Sequence, residues 1–198
     1  MNKLVPHLYL SIIAVTVLLF GFGLFFMYNQ PPSQPLLGEV HKHADFKVYL
    51  NGERYNFSQQ VYISSQNKTL SNFVHLHDMD GEVIHQHIAG VTLGEFFNSL
   101  KIKFNSTCFV LDNNEFFCNN GDSNVKLFVN GVVNSAFERY EFDDLDRILI
   151  SYGDDNETDI AEQLNSVSDK ACISSLKCPE RGVATDESTC LTGEDCIA

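Results

Sequence analysis

The sequence is short of basic residues: 13 Lys and Arg stand against 26 Asp and Glu, a formal net charge of −13. A chain this acidic is a poor match for phosphates, which argues against nucleic acid or an anionic membrane surface as a partner. Eleven of the acids follow Gly153, opposed there only by Lys170, Lys177 and Arg181. Their simplest role is solubility. No C-x-x-C pair occurs, which removes the usual thioredoxin-type redox centre. There is also no H-E-x-x-H zinc helix and no G-x-S-x-G nucleophile elbow. Asp78-Met79-Asp80-Gly81 opens like a calcium loop but lacks the later positions and the closing Glu. The expectation there is a β-turn with Gly81 at positive φ.

Basic residues are missing altogether between Lys3 and Lys42. Residues 8–28 in that gap form a nearly unbroken apolar run. As a helix it would be about 30 Å long, the thickness of a bilayer's hydrocarbon core. No small-x-small cleavage site follows, and no Cys lies close enough for a lipid anchor. The expectation is an uncleaved transmembrane anchor within residues 1–28. Lys3 before the run places the N-terminus in the cytoplasm and the rest of a single-pass protein on the extracytoplasmic side. Residues 29–38, with three prolines, read as a semi-rigid linker. A folded domain is expected over 39–153 and an acidic, Cys-rich tail over 154–198.

All six cysteines follow the apolar run, as disulfides in an oxidising compartment would. Cys108 and Cys118 flank the turn signal Asp112-Asn113-Asn114 and are expected to bridge a hairpin. Cys172, Cys178, Cys190 and Cys196 allow three pairings, and their spacing matches no usual zinc pattern. N-x-S/T sequons stand at Asn56, Asn67, Asn105 and Asn156, usable where the source organism glycosylates.

Alternating residues predict strands over 45–50, 73–77, 83–88, 125–129 and 147–152. Asn51-Gly52 and Asn130-Gly131 are hairpin turns. Thr92 and Glu95 form a capping box for a short helix carrying Leu93, Phe96, Phe97 and Leu100. Asn156 caps a second, amphipathic one with Ile160, Leu164 and Val167. The fold class is α+β: a mainly antiparallel sheet with one main packed helix.

Seven histidines occur, and six form H-x-H pairs: His41/His43, His75/His77 and His85/His87. Residues two apart on a strand share a face. In each strand the apolar residues fall on even positions (Phe46, Val48, Leu50; Val74, Leu76; Ile84, Ile88) and the histidines on odd ones. All six imidazoles should therefore point away from the core. An odd hairpin loop, residues 79–81, would set His75 opposite His85 and gather the rings. Clustered neutral imidazoles suit Zn or Cu, with Asp45 and Asp78 as further ligands or as acceptors of imidazole N–H groups.

Read together, His41-Lys-His43-Ala-Asp45, His75-Leu-His77-Asp78…Gly81-Glu-Val-Ile84-His85-Gln-His87 and Thr92-Leu-Gly94-Glu-Phe96-Phe97 form one pattern. It closes with Val129-Asn-Gly131 and Asp146-Arg-Ile-Leu-Ile-Ser-Tyr152-Gly153. Over residues 41–153 the chain resembles a group of poorly characterised secreted or membrane-anchored prokaryotic proteins with H-x-H, H-x-H-D…G-x-I-H-x-H/E and T-L-G-x-F-F motifs. Many of those carry Glu where this chain has His87, which is also metal-competent. The resemblance brings no established activity. Its closing segment resembles β-grasp-like domains.

The leading expectation is a membrane-anchored extracytoplasmic protein that binds Zn or Cu through His41, His43, His75, His77, His85 and His87, to handle or sense the metal. A metal-dependent hydrolase or oxidase on the same residues is the second, and a disulfide-stabilised adhesion or assembly module without metal the third.

Overall fold

The computed structural model describes residues 19–20, 39–65 and 68–182. The chain divides into two units, 1–37 and 38–198. Apart from the helical Leu19 and Phe20, the expected anchor and linker lie outside the described residues, as do Cys190, Cys196 and the Asn67 sequon. Among the described residues no helix is long and apolar enough to cross a membrane.

The second unit is mixed α+β. Its strands are β1 (Glu39–Leu50), β2 (Glu53–Arg54), β3 (Val74–His75), β4 (Val83–Ile88), β5 (Lys103–Phe104), β6 (Cys108–Val110), β7 (Phe116–Cys118), β8 (Asn124–Val129), β9 (Val132–Val133) and β10 (Arg147–Gly153). The helices are α1 (Leu93–Ser99), α2 (Glu157–Ser166) and the single turn α3 (Ala171–Ser174). The main sheet runs β3-β4-β1-β10-β8-β9, with β2 paired to β1. Its ladders are antiparallel except the central one, where β1 and β10 run parallel with Phe46 opposite Ile148. Local pattern does not reveal that pairing, because it joins strands about a hundred residues apart.

Even positions build the core as expected. Phe46, Val48, Ile148 and Ile150 are buried in one core with α1, joined from β8 by the odd residues Val125, Leu127 and Val129. Phe46 meets the rings of Phe57, Phe96 and Phe97 at centroid distances of 5.1–6.3 Å. The Thr92 capping box forms, with Glu95 N–H donating to Thr92 Oγ1 at 3.2 Å and Thr92 N–H to Glu95 Oε2 at 2.8 Å. Asn51-Gly52 and Asn130-Gly131 both turn with positive φ. A second sheet, β5-β6-β7, sets Cys108 opposite Cys118, and these are bonded.

Two expectations change. First, the sheet's other face is covered. Helix α2 packs Ile160 and Leu164 against Phe128, Leu149 and Val167 there, so the sheet carries a helix on each side rather than one main helix. Residues 168–182 continue over the same face. Second, Gly81 is not among the positive-φ residues; Asp78 and Met79 are, at φ 54° and 56°. The turn closes with Asp80 N–H donating to His77 O at 3.0 Å. Gly81 is required for another reason: a Cβ there would lie 2.2 Å from Ser58 N and 2.3 Å from the Phe57 carbonyl carbon.

Candidate functional site

The H-x-H pairs sit on the adjacent strands β1, β4 and β3, with His77 two residues past the end of β3. His85 lies opposite His43 on one side and His75 on the other, a row of three imidazoles across the sheet. The expected register of His75 against His85 is thus observed. Opposed side chains in such a row are about 5 Å apart, so the rings must touch. They do more than form a row. Ring centroids run His41–His87 4.8 Å, His87–His75 4.9 Å, His75–His77 5.5 Å, His77–His85 3.7 Å, His85–His43 4.7 Å and His43–His41 5.9 Å. The six imidazoles close a circuit.

These rings leave the apolar core, as the alternation required, but they do not face water. His43, His75, His77, His85 and His87 are buried. His41 is exposed, next to a register shift in β1 between Glu39 and Lys42.

Hydrogen bonds assign several ring protons. His75 Nδ1 lies 2.9 Å from the Ser71 carbonyl, which can only accept, so Nδ1 carries the proton. His77 Nδ1 lies 3.0 Å from Asp78 Oδ2, and the same reasoning holds. His77 Nε2, then the basic nitrogen, accepts from His85 Nδ1 at 2.9 Å. Asp78, His77 and His85 form a relay, with Asp78 acting as an acceptor from imidazole. Across the layer, His43 Nδ1 meets Ser175 Oγ at 2.7 Å.

Asp45 has a different job. Its buried carboxylate accepts from Ser168 Oγ at 2.6 Å, Lys170 N–H at 2.8 Å and Ala171 N–H at 3.0 Å. Burial lifts its pKa above the ordinary value, against the pull of these donors. Asp45 therefore ties down the tail that covers the histidines. The tail is fastened further by Lys177 to Asp144 at 2.5 Å, by Arg147 to the carbonyls of Val167 and Ser168, and by the disulfide Cys172–Cys178.

Glu82 is a third fastener. It takes Lys170 at 2.8 Å, Lys47 at 3.3 Å and Arg54 at 2.6 Å. Burial alone would raise its pKa, but Lys170 and Lys47 outweigh it and hold the carboxyl below its ordinary 4.5. A depressed carboxyl pKa contributes stability above the ordinary value and loses it as pH falls through the folded one. Melting temperature followed from about pH 6 to 3 should fall more steeply in wild type than in Glu82→Gln. Parallel curves would show that the cluster contributes nothing.

The structure thus brings all six predicted histidines and Asp78 into one layer and gives Asp45 to the tail. Among the described residues, no group of three or more His, Cys, Asp or Glu is arranged to hold a metal ion as it stands. Sequence reasoning missed Ser71, Asp144 and Ser175. Ser175 is 132 residues from His43, and no spacing rule connects them. No family model, curated protein or solved structure matches the chain.

Proposed function

We propose that this is a membrane-anchored extracytoplasmic protein whose buried histidine layer binds a transition metal, Zn or Cu, to handle or sense it. The closed circuit of six imidazoles carries the reading. Burying five imidazoles together is useful where their nitrogens serve as ligands, and both ions take imidazole readily. On a tetragonal copper two neighbouring imidazole nitrogens subtend about 90° and stand about 2.9 Å apart, and on a tetrahedral zinc about 3.3 Å. His77 Nε2 and His85 Nδ1 already stand 2.9 Å apart through a hydrogen bond, so an ion held by both displaces the proton between them. The Asp78 and Ser71 acceptors orient their imidazoles as partners behind metal ligands do.

The anchor over 8–28 and the likeness to membrane-anchored prokaryotic H-x-H proteins belong to the same proposal, as does the extracytoplasmic side, on which the two disulfides would form. The sheet order supports a β-grasp-like description: β1 and β10 parallel at the centre, β4 and β8 antiparallel outside them, α1 in the crossover.

One observation favours a second reading, an assembly module in which the histidines only knit the fold. Two of the rings, His77 and His85, already hydrogen-bond to each other within the Asp78–His77–His85 relay. Elemental analysis separates the two. The untagged full chain in detergent is loaded with Zn or Cu, then dialysed against metal-free buffer. The metal reading expects stoichiometric retention, lost in His77→Phe/His85→Phe. A wild type that emerges metal-free from both loadings sinks it.

A further inference from the structure

Ser175 reaches the histidine layer from the tail, and its hydroxyl is engaged on two sides. Its Oγ lies 2.7 Å from His43 Nδ1 and donates to Asp144 Oδ1 at 2.5 Å. A hydroxyl has one proton to give. Asp144, salt-bridged to Lys177 at 2.5 Å, is an acceptor only and takes that proton's hydrogen bond. Toward His43 the Ser175 oxygen is then left to accept. The proton between them belongs to His43 Nδ1, and Nε2 becomes the basic nitrogen of that ring. Asp144 Oδ1 also accepts the backbone N–H of His43 at 2.9 Å, so one carboxylate fixes both the main chain and, through Ser175, the ring.

The position of Ser175 is itself over-determined. It lies within the short loop closed by Cys172–Cys178. Asp45 grips Ser168, Lys170 and Ala171 just before that loop, and Lys177 pairs with Asp144 near its end. A solubilising tail needs none of this. Each contact instead serves to hold one hydroxyl over one imidazole.

We propose that Ser175, backed by Asp144, is a positioning residue of the histidine layer: it fixes His43 as the Nδ1–H tautomer, makes Nε2 the nitrogen offered to the metal, and so makes the C-terminal disulfide loop part of the site. The proposal rests on the reading of the layer as a metal site. Its chemistry is that of an outer partner behind a metal-bound imidazole, which fixes the ring's tautomer and orientation and raises its basicity.

The test uses the full chain in detergent as wild type, Ser175→Ala and Ser175→Thr. Zinc affinity is measured by competition with a chromophoric chelator. The ring tautomer of His43 is read from its ¹⁵N shifts in the metal-free protein. Loss of an outer partner should weaken zinc about 10–100-fold in Ser175→Ala, while Ser175→Thr, which keeps the hydroxyl, retains wild-type affinity. His43 should be Nδ1-protonated in wild type and Ser175→Thr, and lose that preference in Ser175→Ala. Because the tautomer is read on folded, metal-free protein, a change in stability cannot imitate it. Wild type that binds zinc no better than Ser175→Ala overturns this inference alone, as does an Nε2-protonated His43 in wild type. Wild type that takes up neither zinc nor, in the same competition, copper overturns the metal reading and this inference with it.

Discussion

Asp45→Ala is expected to destabilise the domain by about 3–5 kcal/mol and to loosen the tail from the histidine layer. Asp45 is 1% exposed and holds three donors from the tail. Removing its carboxylate leaves the Lys170 and Ala171 N–H groups facing a void. Ala171 is fully buried, so water cannot replace the lost acceptor without entering the layer. Each orphaned buried donor costs about 1–3 kcal/mol, and bonds to a charged group sit at the upper end. Burial of the carboxylate offsets part of this, as its raised pKa indicates, which keeps the total below the sum of three bonds. At about 2–4 °C per kcal/mol, the melting temperature should drop by about 10 °C. Amide exchange at Lys170 and Ala171 should accelerate more than exchange in β8. A loss below about 1 kcal/mol would mean that the tail is held elsewhere. Asp45→Asn is the milder control. It keeps one oxygen for two donors but turns an NH₂ toward the Ala171 N–H.

Sequence position gave no hint of that role. Asp45 follows an H-x-H pair, and a carboxylate beside histidines invites reading as a ligand. Its partners are mostly backbone amides, which leave no compositional mark and sit more than a hundred residues away. The same holds for the layer as a whole. Parity along β1, β3 and β4 gives the facing of six histidines, and loop length gives the pairing of His75 with His85. These are local rules with a period of two, and they survive folding because strand geometry is rigid. What covers the face depends on a polar segment with no periodicity, held by Asp45, Asp144 and Glu82. Alternation can say that a side chain leaves the core. It cannot say that a second layer awaits it.

The hairpin that carries His77 and His85 supplies the other large effect. Gly81→Ala is expected to cost about 3 kcal/mol, the upper part of the range for overpacking, because the added Cβ meets backbone and not a mobile side chain. It would lie 2.2 Å from Ser58 N and 2.3 Å from the Phe57 carbonyl carbon. Phe57 is 2% exposed and packed on Phe46, so that segment has nowhere to retreat. The hairpin must move instead, breaking the Gly81 N–H to Ser58 Oγ bond and disturbing the 2.9 Å contact between His77 and His85. Loss of stability and loss of metal retention should therefore appear together. Gly81→Asn distinguishes the two reasons a glycine can be needed. Were positive φ the reason, Asn would be tolerated better than Ala, since its side chain favours the left-handed region. Close approach predicts the opposite: Asn is larger, so Gly81→Asn should melt at or below Gly81→Ala. The reverse order would return Gly81 to the role that the Asp-Gly turn signal first suggested.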